Sequence, residues 1–256
     1  MRRGIEPGGH DRTATDSHSQ ATAGEEHLRV ATYNVHRSIG TDGRHDVLRT
    51  AKVIRQTGAS ILALQEVEEH SADPGALARA TGMSALPGHT ITGPDSNYGN
   101  LLLTDLTVES SQSIDLSWGR REPRGLIDAR LRCANGFRLR CLVTHLGLAR
   151  RERIYQHGLL RALLSRDWSG PTLLMGDFNE WRPYAFTIRM LNQLLGRSHA
   201  RRSFPSCCPL LPLDRIWIQP QNLLASLHTH RSREARSASD HLPVIAAISI
   251  ASCMSG

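Results

Sequence analysis

Residues 173–181 constrain this chain more than any other stretch. An apolar run of strand length ends at Gly176, and Asp177 and Asn179 then follow two residues apart. This pattern predicts a buried strand whose end presents a carboxylate and an amide. Ligands of α/β proteins lie outside strand ends, where an aspartate can activate water and an asparagine can hold a phosphoryl oxygen. A strand followed by an ordinary Asx turn gives the same pattern, so the other strand ends must decide between the two.

The size and charge of the chain narrow the choice of fold and partner. Its 256 residues, 39% of them hydrophobic, are enough for a sizeable core in one large domain or two small ones. The net charge is +7, which favours anionic partners such as nucleic acid, lipid head groups or phosphorylated small molecules. Lys52 is the only lysine, so the positive charge comes almost entirely from arginine, whose forked guanidinium binds two phosphate oxygens together.

The cysteines are odd in number and lack a C-x-x-C spacing, which argues against a disulfide framework and against a structural zinc site. They are Cys133, Cys141, Cys207, Cys208 and Cys253. A reducing compartment follows, and we expect the protein to be cytoplasmic and monomeric. Residues 1–26 lack the apolar core of a signal peptide, which predicts a disordered tail before one domain at residues 27–252. Residues 242–254 are too short to cross a bilayer, so we expect no transmembrane segment, while peripheral membrane contact stays open.

Polar residues recur at the predicted ends of several other strands. Residues 60–64 form an apolar strand that delivers Glu66, and a carboxylate there is costly unless it meets a cation, so Glu66 is a candidate ligand for a hard metal. Arg124, beside Gly125, is placed to approach a phosphate with little steric hindrance. The full set at predicted strand ends is Asn34, Glu66, His145, Asp177, Asn179, Asp214, Asp240 and His241. Each position alone has a structural explanation, but their joint order over most of the chain does not.

The remaining elements follow from periodicity and from breaker residues. Residues 46–57 and 150–165 carry apolar residues at helical spacing, with Ile154 among those expected to face inward. Residues 97–100 are predicted to form a polar turn before a buried strand, and residues 231–236 a basic loop. Glu68 and Glu69 are expected on a solvated surface.

Seven short motifs follow one another between residues 28 and 250. They are Thr32 Tyr33 Asn34 Val35 His36, Leu64 Gln65 Glu66 Val67, Tyr98 Gly99 Asn100, Thr144 His145 Leu146, Gly176 Asp177 Phe178 Asn179, Leu213 Asp214 Arg215 Ile216, and Ser239 Asp240 His241 Leu242 Pro243 Val244. As a series they are far more specific than any one tripeptide. In them the chain resembles bacterial members of the endonuclease/exonuclease/phosphatase family, the DNase I-like superfamily.

The resemblance implies an α/β fold, a four-layer α/β sandwich in which two mixed β-sheets pack face to face between helices. It also implies a phosphoester hydrolase that uses Mg²⁺ or Mn²⁺. By matching position, Glu66 is the principal metal ligand, assisted by Asn34 and Asp240, and Asp177 orients or deprotonates the attacking water. Contacts with the substrate phosphate are implied for Asn100, Arg124, His145, Asn179 and His241. Asp214 would hold the ring of His241, and His145 could instead help the leaving group.

Several functions remain open at this stage. The first is a metal-dependent phosphodiesterase acting on nucleic acid or a phospholipid head group. The alternatives are a phosphomonoesterase and a phosphate- or nucleic-acid-binding module without catalysis. The intact acids speak against a pure binder, because carboxylates repel an anionic ligand. Val67, Glu68 and Glu69 follow Glu66 where the abasic-site enzymes usually have a lysine, and Leu213 stands where the inositol phosphatases have a cysteine. The motifs leave the substrate undetermined.

Overall fold

A computed structural model of the chain describes residue 1 and residues 27–250, apart from 72, 74 and 167. The described part contains eleven β-strands and five α-helices. The predicted disordered tail therefore lies outside the described residues except for its first residue, and so do residues 251 and 252 of the predicted domain.

The strands form two mixed sheets. The first contains β1 (His27–Asn34), β2 (Ile61–His70), β3 (Ser84–Thr92), β4 (Ser96–Thr104), β10 (Leu224–Thr229) and β11 (Val244–Ser249), in the spatial order β10-β11-β1-β2-β4-β3. The second contains β5 (Thr107–Asp115), β6 (Gly125–Arg132), β7 (Arg138–His145), β8 (Thr172–Asp177) and β9 (Asp214–Gln219), in that order. In each sheet one pair is parallel, β1 with β2 and β7 with β8, and the other pairs are antiparallel.

Alternation along the strands builds three apolar layers. Val30 of β1 and Met175 of β8 belong to the cluster between the sheets, whereas Tyr33 of β1 faces a second cluster and Leu174 of β8 a third. Helices cover the outer faces: α1 (Val47–Thr57), α2 (Ala76–Thr81) and α5 (Arg233–Ala238) on the first sheet, α3 (Arg150–Leu164) and α4 (Phe186–Leu195) on the second. The predicted four-layer sandwich is confirmed.

The helix predicted at residues 46–57 is confirmed as α1, and its ends have clear physical causes. The Asp46 side chain accepts a hydrogen bond from the backbone N–H of Arg49, which satisfies one of the free donors of the first turn. Gly58 ends the helix in the left-handed conformation that glycine adopts at little cost. Both signals are local, which is why the sequence alone located this helix.

The prediction that a strand ends at Leu64 is wrong. Strand β2 continues to His70, and its pairing with β4 shifts register between Leu64 and Val67. Glu66 lies inside this bulge with a φ of 55°. Because a bulge re-aims one side chain while the ladder continues on either side, Glu66 faces the site from mid-strand rather than from a strand end.

Three other local predictions are wrong. Residues 97–100 do not form a turn but belong to β4, because each pairs with β2 or β3. Ile154 is exposed, since the buried face of α3 is shifted to positions that include Arg153 and His157. Residues 231–236 are not a simple loop, because Ser232 caps helix α5 there.

Glu68 and Glu69 are both half-buried, so the prediction that they lie on a solvated surface is wrong for both. Glu69 lies 2.7 Å from the imidazole of His89. The contact comes from β3, a partner that spacing along the sequence does not reveal.

The pairing of the central strands brings polar residues from both sheets to one edge of the sandwich. His145 of β7 pairs in register with Asp177 of β8, which pairs in register with Asp214 of β9. Asn34 ends β1 beside β2, the strand that carries Glu66. Side chains up to 143 residues apart in the sequence therefore come within hydrogen-bonding distance.

We expect Gly176→Ala to destabilise the fold strongly, by about 3 kcal/mol or more. Gly176 has a φ of 154°, and a Cβ there would lie 1.9 Å from the carbonyl oxygen of Thr144 on the paired strand. Urea denaturation followed by circular dichroism measures the change in the free energy of unfolding.

Gly158→Ala is the matched control. Gly158 lies within α3, and a Cβ there would meet no heavy atom within 4 Å, so alanine should stabilise the helix by about 0.5 kcal/mol or more. Equal effects of the two substitutions would show that the close approach of β8 to β7 at Gly176 is not needed.

Candidate active site

Asp177 lies at the centre of the site. Its Oδ1 accepts a hydrogen bond from the backbone N–H of Asn179 at 2.9 Å, and its Oδ2 accepts one from Asn34 Nδ2 at 3.2 Å. The same Oδ2 lies 3.7 Å from Nε2 of both His145 and His241. Asp177 is buried, so its carboxylate is fixed by donors on several sides.

Glu66 faces Asp177 from the other sheet. Its Oε1 accepts a hydrogen bond from Asn34 Nδ2 at 2.9 Å and lies 4.0 Å from His145 Nε2. Burial raises the pKa of Glu66, and the nearby charges of Asp177 and Asp240 raise it further. Burial first, and then the like charges nearby, therefore disfavour the ionised form of this carboxyl group.

These carboxylates form a donor set that suits a divalent cation. Among the described residues, neither Glu66, Asp177 nor Asp240 forms an ion pair with arginine or lysine. Carboxylate oxygens are the ligands that hard cations such as Mg²⁺ prefer, and a cation here would relieve the repulsion that raises the pKa of Glu66. The Asn34 oxygen accepts the backbone N–H of His36 at 3.0 Å, and its amide nitrogen faces the acids.

Ligand atoms of Asp177, Asp214 and His241 also lie within 4.8 Å of one another among the described residues. In this group, however, His241 Nδ1 lies 2.8 Å from Asp214 Oδ2, which also accepts a hydrogen bond from Ser203. Asp214 Oδ2 is thus engaged by both Ser203 and His241, so this carboxylate orients the imidazole, while its Oδ1 is buried without a hydrogen-bond partner among the described residues.

His241 is held as a cation. Burial opposes its charge, but the charge and the hydrogen bond of Asp214, together with the charges of Asp177 and Asp240, raise its pKa to about 10. The ring of Phe204 packs against the imidazole with centroids 4.8 Å apart. The positive charge thus lies beside Asp177, with its Nε2 directed to the centre of the site.

His145 is held neutral. Burial, together with the charges of Arg124 and His241, lowers its pKa to about 3 although Asp177 opposes the shift. Arg124 NH1 donates to its Nδ1 at 3.0 Å, and Asn179 Nδ2 lies 3.1 Å from its Nε2. Because a guanidinium can only donate, Nδ1 accepts from Arg124 and the single proton of the neutral ring lies on Nε2.

The remaining predicted residues lie around this centre. Asn100 lines a cleft with Glu66, Arg124 and His145, and its amide donates to the carbonyl of Gly125 at 2.9 Å. Arg124 also forms an ion pair with Glu122 at 3.1 Å. Asp240 is half-buried, and the charge of its carboxylate acts on both Glu66 and His241. Every residue predicted for the site from the sequence is thus in or beside one cluster.

Three residues that hold the cluster in place are not among those predicted from the sequence. Ser203 donates to Asp214 Oδ2 at 2.5 Å, and Ser239 Oγ donates to the backbone carbonyl of Asn34 at 2.7 Å. Glu180 is buried and forms ion pairs with Arg153 at 3.2 Å and Arg182 at 3.1 Å. Ser239 belongs to one of the seven sequence motifs, so its role in the site could have been predicted from the sequence. Ser203 lies in a loop outside those motifs, and no sequence signal indicates its contact with Asp214.

The described helices include none that is long and apolar enough to cross a membrane.

Known proteins resemble the chain over most of its length. Residues 31–241 match the sequence model described as the Endonuclease/Exonuclease/phosphatase family. The uncharacterized protein YbhP of Escherichia coli (strain K12) is 30% identical over 244 residues, which cover 86% of this chain and 96% of that protein. The crystal structure of an endonuclease/exonuclease/phosphatase from Bacteroides vulgatus superposes with a TM-score of 0.73 at 18% identity, over 88% of this chain and all of that one.

A mannosyl-6-phosphatase from Bacteroides thetaiotaomicron has the same fold. It superposes with a TM-score of 0.65 at 18% identity, covering 86% of this chain and 98% of that one. At this level of identity the structural likeness establishes the fold and leaves the reaction to be argued from the site.

We expect the charge on His241 to make the metal-free protein less stable as the pH rises from 6.5 to 10. The folded-state pKa is above the ordinary value, so the stabilisation is complete below pH 6.5 and is lost as the pH approaches 10. Urea denaturation in the presence of chelator should show a smaller loss over this range for His241→Gln than for the wild type.

His145→Gln is the matched control with the opposite sign. The pKa of His145 is lowered to about 3, so its contribution is present above pH 6.5 and is lost as the pH falls toward 3. His145→Gln should therefore flatten the acidic side of the profile. Parallel alkaline profiles for the wild type and His241→Gln would contradict the cationic assignment.

Proposed function

Because the chain belongs to the endonuclease/exonuclease/phosphatase family, which includes metal-dependent phosphoesterases, we propose that it is a divalent-metal-dependent phosphodiesterase. The substrate is a phosphodiester in nucleic acid or in a phospholipid head group, and water is the nucleophile. One observation carries the proposal: the buried Asp177 carboxylate lies between a cationic His241, a neutral His145 and a second carboxylate, Glu66.

Glu66 and Asp240, with Asn34 beside them, would hold Mg²⁺ or Mn²⁺. When bound, the cation neutralises charge that develops on the phosphate oxygens. Asn34 bridges Glu66 and Asp177 through its amide nitrogen and so fixes the spacing of the two acids before any ligand arrives.

Asp177 orients the attacking water and accepts its proton. Two donors hold its carboxylate, the amide of Asn34 and the backbone N–H of Asn179, so the acceptor oxygen has one orientation. A carboxylate that is already positioned lowers the barrier because little reorganisation accompanies attack.

The groups around Asp177 bind the phosphate. The imidazolium of His241, oriented by Asp214, attracts a non-bridging oxygen, and Asn179 donates to another. Neutral His145, with Arg124 behind it, contacts the phosphate or helps the leaving group. Asn100 borders the cleft on the same side and extends the contacts with the phosphate.

A phosphomonoesterase is the second candidate, since the related fold from Bacteroides thetaiotaomicron is a mannosyl-6-phosphatase. A binding module without catalysis is less consistent with this site. Buried carboxylates repel an anionic ligand and so weaken its binding. Their presence is explained if they hold a metal ion or accept a proton during a reaction.

We expect the protein to hydrolyse bis(p-nitrophenyl) phosphate faster than p-nitrophenyl phosphate, and only with Mg²⁺ or Mn²⁺ present. Glu66→Gln and Asp177→Asn should each reduce kcat/KM by about 100-fold or more, since the first removes a carboxylate that would hold the metal and the second removes the carboxylate that accepts the proton of the attacking water. Release of p-nitrophenol measures the rate, with chelator as the metal-free reference.

Glu69→Gln is the matched control, because Glu69 lies on the same strand as Glu66 but contacts His89 instead of the site. It should retain wild-type activity. Cleavage of the monoester alone would favour the phosphomonoesterase. Full activity in Asp177→Asn would remove Asp177 from the mechanism.

A further inference from the structure

Exposed apolar side chains are concentrated beside the proposed active site. Ten large apolar residues are exposed in the described part of the chain, and six of them come from two neighbouring segments. We call these six the apolar rim: Leu148, Ile154, Tyr155, Trp181, Tyr184 and Phe186. Tyr184 is 85% exposed and Leu148 is 72% exposed, so these side chains project from the surface rather than bordering the core.

The rim is joined to the catalytic cluster through one turn. Ile154, Tyr184 and Phe186 line a single groove, and Glu180 lies in the same lining. Glu180 follows Asn179, whose backbone holds Asp177. A partner on the rim would therefore lie next to the edge of the sandwich where the carboxylates and imidazoles converge.

The charge around the groove is positive. Arg150, Arg182 and Arg189 line it. Its one acidic lining residue, Glu180, is buried and paired with Arg153 and Arg182. With Arg182 paired to Glu180, the positive charge that remains unpaired among the described residues is that of Arg150 and Arg189. Apolar groups beside unpaired positive charge bind anionic membrane interfaces through burial of side chains and electrostatic attraction.

Other occupants of the rim fit the observations less well. Four of the six rim side chains are aromatic and have faces on which nucleic-acid bases could stack, but Leu148 and Ile154 have no such face and are suited to burial in an apolar phase. The segments outside the described residues contain no aromatic residue, and their large apolar residues are Ile5 and Met254 alone. They offer little apolar surface with which to cover six side chains.

We propose that the apolar rim and its arginines dock the protein on an anionic phospholipid surface. Trp181, Tyr184 and Phe186 would lie at the level of the head groups, where aromatic rings are favoured, and the arginines would contact lipid phosphates. The site beside the rim would then meet a head-group phosphodiester at the membrane surface. That last consequence rests on the proposed hydrolase function, whereas the docking itself does not.

Binding to vesicles tests the docking without any need for catalysis. The full chain is mixed with vesicles of phosphatidylcholine alone or of phosphatidylcholine with phosphatidylglycerol, in the presence of chelator, and separated by flotation. We expect binding to the vesicles that contain phosphatidylglycerol, weakening as salt is added. The Tyr184→Ser, Phe186→Ser double variant should bind roughly tenfold more weakly or worse, because two inserted side chains are lost.

A second pair of variants separates charge from apolar contact. Arg150→Gln with Arg189→Gln should weaken binding to the anionic vesicles and remove much of its salt dependence. The matched control, Leu48→Ser with Ile91→Ser, removes two exposed apolar side chains outside the rim and should bind as the wild type does. All variants should hydrolyse bis(p-nitrophenyl) phosphate at the wild-type rate, so a failure of the proposed function is distinguishable from a failure of docking.

Four outcomes overturn the proposal. The first is no binding of the wild type to the anionic vesicles, and the second is equal binding by the wild type and both rim variants. The third is a dimer in solution that the Tyr184→Ser, Phe186→Ser variant dissociates, without vesicle binding, which would make the rim a contact between copies. The fourth is loss of oligonucleotide binding in that variant, measured by fluorescence anisotropy, without vesicle binding by the wild type.

Discussion

Crowding of carboxylates at one edge of the sandwich is the constraint on which the rest of this structure depends. Glu66, Asp177 and Asp214 converge there, and Asp240 adds a fourth charge. Like charges in a partly buried site repel one another more strongly than they would in water. The protein compensates with hydrogen-bond donors and with the imidazolium of His241, and the pKa of Glu66 is still raised. A cation bound at such a site would relieve this repulsion.

The two sheets are joined by hydrogen bonds in the site as well as by the apolar layer between them. Asn34 at the end of β1 donates to Glu66 in its own sheet and to Asp177 in the other. The apolar layer between the sheets fixes their separation. At that separation the Asn34 side-chain amide can reach both Glu66 and Asp177. The geometry of the candidate site is therefore a consequence of core packing, because a shift of one sheet would break the bridge.

The two histidines of the site differ in protonation because their neighbours differ. His241 faces Asp214 and carries a proton, while His145 faces Arg124 and does not. Both lie 3.7 Å from the same oxygen of Asp177. A phosphate entering the site would meet the positive charge of His241 on one side and the neutral ring of His145 on the other. One type of side chain can therefore serve two purposes, with the charged ring attracting the phosphate and the neutral ring free to exchange a proton.

Seven short motifs in the sequence resemble those of the family, and that resemblance predicts both the sandwich and the members of the cluster. Helix α1 could be located from the sequence because its cap and its terminating glycine are local signals. The tertiary structure alone decided what surrounds each group. The bulge that aims Glu66 depends on pairing with β4, the opposite protonation of His145 and His241 depends on neighbours from other strands, and Ser203 reaches Asp214 from a loop without a motif. Likewise, Ile154 has helical spacing that predicts burial, yet the packing of α3 leaves it exposed on the rim. Charge, protonation and exposure are properties of neighbours in space, so spacing along the chain does not fix them.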